Sequence, residues 1–285
     1  MDVDLLGDPG DLLARVQPFL VADEARHNLA LGILAFGRDH PDVYPELEGW
    51  IVRDGRRITG VAVRTPPYNL ILARPTDDRA LEALVASISP ELPGVVGARP
   101  EVDAFAAGWT TRHDTTAAVR FEQRIYALER LVPHRPTDGA MRLADARDRG
   151  LVLRWMREFT AEALHDDGDT RRIERSVDAR LDPGSPGGIA LWEVGGEAGS
   201  LAAFGGQTPN GMRIGPVYTP PSHRGRGYGS AVTAAASGLL LDRGVRFCFL
   251  YTDLANPTSN GIYMRIGYEP VCDSRELAFA RRPPA

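Results

Sequence analysis

Residues 212–268 constrain this chain more than any other stretch. They read in order as a strand, a glycine-rich turn, a helix, a strand and a second helix. The turn is Arg224-Gly225-Arg226-Gly227-Tyr228-Gly229-Ser230, and it falls where the strand ends and the helix begins. The first turn of a helix carries unpaired N–H groups and the positive end of the macrodipole, so it suits an anion such as a phosphate. Glycines let the backbone approach that anion and adopt positive φ, and the arginines add charge beside it. The stretch therefore reads as a phosphate cradle.

The length and composition leave room for such a cradle in a two-domain globular protein. At 285 residues the chain is long for one domain, and 43% hydrophobic with 25% charged residues supplies apolar surface for real cores. A net charge of −5 argues against a chain that tracks a nucleic-acid backbone. Two cysteines, Cys248 and Cys272, are too few for a disulfide framework, and Cys248 lies in an apolar strand as a small hydrophobe. The N-terminal MDVDLLGDPG lacks the basic and apolar regions of a signal peptide, and apolar runs such as residues 29–36 are far too short to span a bilayer. A cytoplasmic protein without a membrane partner is the expectation.

Residues 11–36 look helical, with Pro18 breaking or offsetting the pattern. Strands at 50–52 and 58–63 flank the hairpin signal Asp54-Gly55. A strand at 69–73, a helix at 77–88, a strand at 95–97, a short helix at 101–107 and a strand at 121–131 follow. Residues 132–139 (VPHRPTDG) form the best linker candidate. Beyond them come a strand at 141–143, helices at 151–164 and 170–181, and strands at 189–194 and 201–205. The chain closes on a strand at 276–280. The halves share an order of elements: Asp54-Gly55 answers to Gly195-Gly196, 69–73 to 212–217, 77–88 to 229–241, and 95–97 to 247–252. The expected division is 1–133 and 137–285. Where the second half has the glycine turn, the first has Thr76-Asp77-Asp78-Arg79-Ala80, which cannot cradle a phosphate.

Other nucleotide turns fit poorly. A dinucleotide G-x-G-x-x-G fails at Ser230 or Val232, and a Walker loop needs a lysine that is absent. Residues 217–229, Val-Tyr-Thr-Pro-Pro-Ser-His-Arg-Gly-Arg-Gly-Tyr-Gly, instead resemble the signature of the GNAT superfamily of acyl-CoA-dependent N-acyltransferases: a strand ending in apolar-x-x-Pro, then Arg/Gln-x-x-Gly-x-Gly/Ala and a helix. Arg224, Gly227 and Gly229 hold its three defining positions. The second family signature, an asparagine, a short helix with a tyrosine, and Gly-Phe/Tyr, matches residues 256–268 from Asn256 through Tyr263 to Gly267-Tyr268. The resemblance implies an α+β fold of tandem GNAT-like units, each a mixed, largely antiparallel sheet flanked by helices. The motifs lie only in the second unit, and the first is a degenerate or accessory partner without a cofactor site.

The resemblance also implies a mechanism. Acetyl-CoA is the acyl donor, its pyrophosphate on the amides of Arg224, Gly225, Arg226, Gly227, Tyr228, Gly229 and Ser230. Its pantetheine arm pairs with the backbone of Val217, Tyr218 and Thr219. A backbone N–H at Val217 or Tyr218 holds the developing oxyanion. Asn256 contacts the cofactor arm or caps its helix, and Tyr263 protonates the departing thiolate. The acceptor is a small-molecule or peptide amine, attacking directly. Relatives carry a glutamate on the strand before the turn, and residues 212–219 hold no acid, so the base is left among Asp253, Glu193, Glu162 and His165. Asp166, Asp167 and Asp169 are a candidate attractor for a cationic amine. No His-x-x-x-His or Cys-x-x-Cys spacing supports a metal, and no Gly-x-Ser-x-Gly supports a nucleophilic serine. The competing reading is a non-catalytic acyl-CoA-binding module. Monomer and homodimer are both compatible with the sequence.

Overall fold

The computed structural model describes all residues except 41, 43, 134–135, 165–169 and 283–285. The chain forms two compact units. The first comprises Met1–Ile125, Tyr251–Pro257 and Pro270–Ala285; the second comprises Tyr126–Leu250 and Thr258–Glu269. A single cut between residues 133 and 137 therefore differs from what forms, because the units trade segments. The last strand returns to the first unit, where Leu277 is buried among its core side chains. Tyr126 and Leu128 are buried in the core of the second. Asp138 of the linker candidate is held to the second unit, where its carbonyl accepts from the Trp192 indole N–H at 2.9 Å.

The first unit holds β1 (Asp2–Leu6), α1 (Pro9–Val21), α2 (Asn28–Asp39), β2 (Glu48–Asp54), β3 (Arg57–Arg64), β4 (Leu70–Ala73), α3 (Asp78–Ser87), β5 (Gly94–Ala98), α4 (Arg99–His113) and most of β6 (Thr115–Leu128). Strands β1 to β4 are antiparallel, β4 and β5 are parallel, and β12 (Glu269–Arg281) lies antiparallel beside β5. The second unit holds β7 (Ala140–Leu143), α5 (Arg149–Leu164), α6 (Thr170–Leu181), β8 (Gly188–Val194), β9 (Glu197–Gly205), β10 (Gly211–Tyr218), α7 (Tyr228–Asp242), the start of β11 (Phe247–Asp253) and nearly all of α8 (Pro257–Ile266). Here β7 to β10 are antiparallel, and β10 is parallel to β11. The two units repeat one order: strand, two helices, three strands, helix, strand, helix. Each is a mixed, largely antiparallel sheet with helices on both faces.

Strand side chains alternate between those faces. In the first unit Ile51, Val61, Val63 and Ile71 pack on α1 and α2, while Trp50, Val52, Ala62 and Leu72 pack on α3 and α4. In the second, Leu191, Leu201, Ala203 and Tyr218 pack on α5 and α6, while Ala202, Phe204, Met212 and Ile214 pack with α7 and α8. With both faces covered, strands read as continuous apolar runs. Gly195 and Gly196 both take positive φ, as a two-residue hairpin turn between twisted strands requires.

Five elements differ from expectation, among them the closing strand β12, which starts at Glu269 rather than 276. Strand β1 is absent from the sequence reading, because Asp2 and Asp4 are poor strand formers and its apolar Leu5 is exposed, so no buried face shows. Pro18 sits inside α1 without ending it; the break comes at residues 22–27. α4 runs on to His113, well past residue 107, and β6 starts at Thr115 rather than 121, through exposed residues that show no apolar alternation.

Candidate active site

β10 pairs with β11 only at Gly211, Met212 and Arg213, opposite Phe247, Cys248 and Phe249. From Ile214 onward the two parallel strands part. On its other side β10 stays on β9, with a bulge between Ile214 and Val217, and rejoins it as Val217 opposite Ala202 and Tyr218 opposite Leu201. A bulge bends the strand that carries it, and here it turns the end of β10 away from β11. The edge at residues 214–218 therefore presents unpaired backbone groups to the opening, which an extended amide-bearing arm can pair with.

The turn follows at once. Gly225 and Gly227 have φ of +76° and +82°, the left-handed region that glycine enters without strain. Gly227 caps α7 without any side-chain hydrogen bond, and the first helical bond runs from Ala231 N–H to the Gly227 carbonyl at 3.0 Å. Among the described residues the amides of Tyr228, Gly229 and Ser230 find no protein acceptor. Close packing holds the turn in place. A Cβ on Gly229 would stand 3.1 Å from Thr219 Oγ1, and one on Gly199 would meet the buried Tyr228 ring at 2.8 Å. The Tyr228 side chain is thus a packing group, and only its amide faces the cradle. These residues fit a diphosphate.

Tyr218 turns to the α5 face and is buried. Its hydroxyl donates to Glu158 Oε2 at 3.0 Å and Glu162 Oε1 at 3.2 Å, one helical turn apart on α5. Burial, followed by the bond to Glu158, raises the Tyr218 hydroxyl well above its ordinary pKa. Glu162 also accepts from Arg224 at 2.5 Å, and Arg224 Nε donates to the Thr219 carbonyl at 2.9 Å. The Arg224 side chain thereby ties the turn to the strand end and to α5.

Tyr263 lies on α8, 9% exposed, in the core cluster that also holds Met212, Ile214, Val232 and Cys248 and against which Val217 packs. Its ring meets Tyr268 edge-on at 6.0 Å. Its hydroxyl has no hydrogen-bond partner among the described residues, and burial pushes it up to about 12. The proposed bases separate. Glu193 is held by Arg142 at 2.8 Å, and Asp253 accepts the Ala255 amide at 2.8 Å. His165 and the aspartates 166, 167 and 169 lie outside the described residues. Asn256 and Asp253 group with the first unit. Glu158 was missed by sequence reasoning, and its Oε1 has no partner among the described residues. Its only sequence signal was the i,i+4 spacing to Glu162.

Residues 194–276 match the family described as FR47-like protein, a GNAT-type family. Solved structures align over nearly the whole chain. A GCN5-related N-acetyltransferase from Sphaerobacter thermophilus is 16% identical, covers 99% of this chain and 97% of its own, with a TM-score of 0.61. A GNAT-family acetyltransferase from Colwellia psychrerythraea is 12% identical, over 99% and 100%, at 0.58. The chain has the GNAT fold, in tandem. A tandem GNAT protein from the clavulanic acid biosynthesis pathway is 13% identical over 100% of both chains, at 0.55. No curated protein matches the sequence.

Within this tandem GNAT architecture the first unit departs at the cradle. After β4 the chain enters α3 through Asp77, whose carboxylate accepts the Ala80 amide at 2.9 Å. The helix start that binds an anion in such a fold is here capped by an anion of its own. Among the described residues no cluster of histidine, cysteine, aspartate or glutamate suits a metal ion, and no helix is long and apolar enough to cross a membrane.

Proposed function

We propose that the second unit moves an acetyl group from acetyl-CoA to a primary amine by direct attack. The observation that carries this reading is the parting of β10 from β11 immediately before a left-handed glycine turn with unpaired amides. The turn at 224–230 seats the pyrophosphate, and the backbone at 217–219 takes the pantetheine arm. The N–H of Val217 or Tyr218 then faces the thioester oxygen as negative charge develops there. The amine nitrogen bonds to the carbonyl carbon as the carbon–sulfur bond breaks, so one proton must leave the amine and one must reach the thiolate.

Glu158 takes the first proton. Its position is set by the Tyr218 hydroxyl, and among the described residues it keeps an oxygen without a partner, whereas Glu162 is occupied by Arg224. Tyr263 supplies the second proton, or a strong hydrogen bond in its place. The first unit, its helix start capped by Asp77, supports the fold and does not bind a second donor.

Amine-dependent release of CoA thiol tests this. Across a panel of amino acids, peptides, polyamines and aminoglycosides, at least one class should give turnover, and Glu158→Gln should lower its kcat/KM at neutral pH by about a hundredfold, within the usual range for a general base. Binding of acetyl-CoA with no turnover on any amine would leave a non-catalytic acyl-CoA-binding module.

A further inference from the structure

On the same face of the second sheet as Tyr218, two arginines stand together. Arg180, near the end of α6, lays its guanidinium over Gly205, where a Cβ would stand 3.6–3.9 Å away. Arg213 of β10 is the cross-strand partner of Gly205 and lies against Gly206, 3.3–3.6 Å from where a Cβ would be. Arg213 points to the α5–α6 face because its neighbours Met212 and Ile214 point to the other. Among the described residues neither guanidinium forms an ion pair, and the charge that acts on Arg180 is that of Arg213. Arg180 donates to the Ser176 carbonyl and hydroxyl, yet its Nε is shut off from solvent without an acceptor. Burial, and then the charge of Arg213, pulls Arg180 down to about 10.

Two adjacent cations, one of them desolvated with an unused donor, are costly to hold unless an anion joins them. A planar carboxylate accepts two N–H bonds from a guanidinium fork, and the bare glycines let both forks lie close against the strand ends. We infer that Arg180 and Arg213 form a carboxylate-binding subsite for the acyl acceptor. This rests on the acyl-transfer reading only for the distance to the reacting carbon. From the Arg213–Gly205 pair to the Val217–Ala202 pair there are three steps of β9, which at strand spacing is about 10 Å. That is the span of an extended tripeptide, at about 3.3–3.6 Å per residue. The acceptor class is therefore an amine whose carboxylate lies some three residues away, such as a short peptide with both termini free.

Triglycine and triglycine amide provide the probe, titrated into protein saturated with CoA so that the turn is filled. Triglycine should bind at least tenfold tighter than its amide. Arg213→Gln should abolish that difference and leave CoA affinity unchanged; Arg213→Lys should restore part of it. Equal binding of the acid and the amide, or an equal loss for both in Arg213→Gln, overturns the subsite. The preference without any CoA thiol release would instead refute acyl transfer and leave the subsite standing. Thiol release with equal KM for the two peptides would do the reverse.

Discussion

Tyr263→Phe removes one oxygen from the second unit's core and should remove most of the catalysis with it. The proton needed by the leaving thiolate must come from a group of comparable acidity. A thiol of ordinary pKa, about 8.5, lies roughly 3.5 units below Tyr263 at about 12, so full transfer to a water-exposed thiolate is uphill by about 5 kcal/mol. The same cavity changes the thiol as well. Cys248 in that core is pushed up by burial alone, so a thiolate desolvated beside Tyr263 is raised in the same direction as the tyrosine. The gap then narrows, which favours a general acid. Loss of the hydroxyl should lower kcat about 10²- to 10³-fold, within the usual range for general acid catalysis, with little change in KM for acetyl-CoA. Stability should hardly move, because among the described residues the hydroxyl has no partner to lose. Thiol release followed with a chromogenic reagent gives kcat, and a urea titration gives stability. In wild type the alkaline limb set by Tyr263 should stay flat to about pH 10. A kcat within threefold of wild type in a normally folded Tyr263→Phe protein would refute the assignment.

The cradle is testable without turnover. Gly227→Ala forces a side chain into φ +82° at a strain of about 1–2 kcal/mol and sets a Cβ 3.3 Å from Thr137 Oγ1. CoA affinity measured by calorimetry should fall about tenfold, and an unchanged Kd would show that the turn does not seat the diphosphate. Stability should depend on His27, which is buried between the end of α1 and the end of β4. Its Nδ1 bonds to the Leu20 carbonyl at 2.9 Å, and its Nε2 accepts the Arg74 amide at 3.2 Å. Burial lowers its pKa below 6.5. Between that lowered value and 6.5 the unfolded chain binds more protons. The stability it contributes is therefore complete above pH 6.5 and is lost as pH falls, by at most about 1.4 kcal/mol per pH unit. Urea titrations at pH 7.5, 6.5 and 5.5 should show this drift in wild type and lose it in His27→Gln; the same drift in both excludes His27 as its source.

The candidate site of the second unit was legible because it is written in local backbone requirements. Glycines at 225 and 227 stand where φ must be positive, and the pattern 256–268 places Tyr263 on a short helix whose apolar face meets the core. Those demands act over a few residues, so spacing reveals them. The repeat of elements was legible for the same reason, from hairpin turns and alternating runs. Strand β1 and the first part of β6 were not, because exposed edges carry no apolar alternation to read.

What the sequence by itself determined is the positive-φ glycine turn at 225–227, the order of elements in the second unit and the aspartate start of α3, each set by residues adjacent in the chain. Only the tertiary structure decided three other things: that β12 completes the first unit, that Glu158 stands under the Tyr218 hydroxyl, and that Arg180 meets Arg213 over Gly205 and Gly206. Each joins groups far apart in sequence, 60 positions apart for Glu158 and Tyr218. Strand pairing and helix packing bring them together, and no periodicity along the chain encodes that meeting.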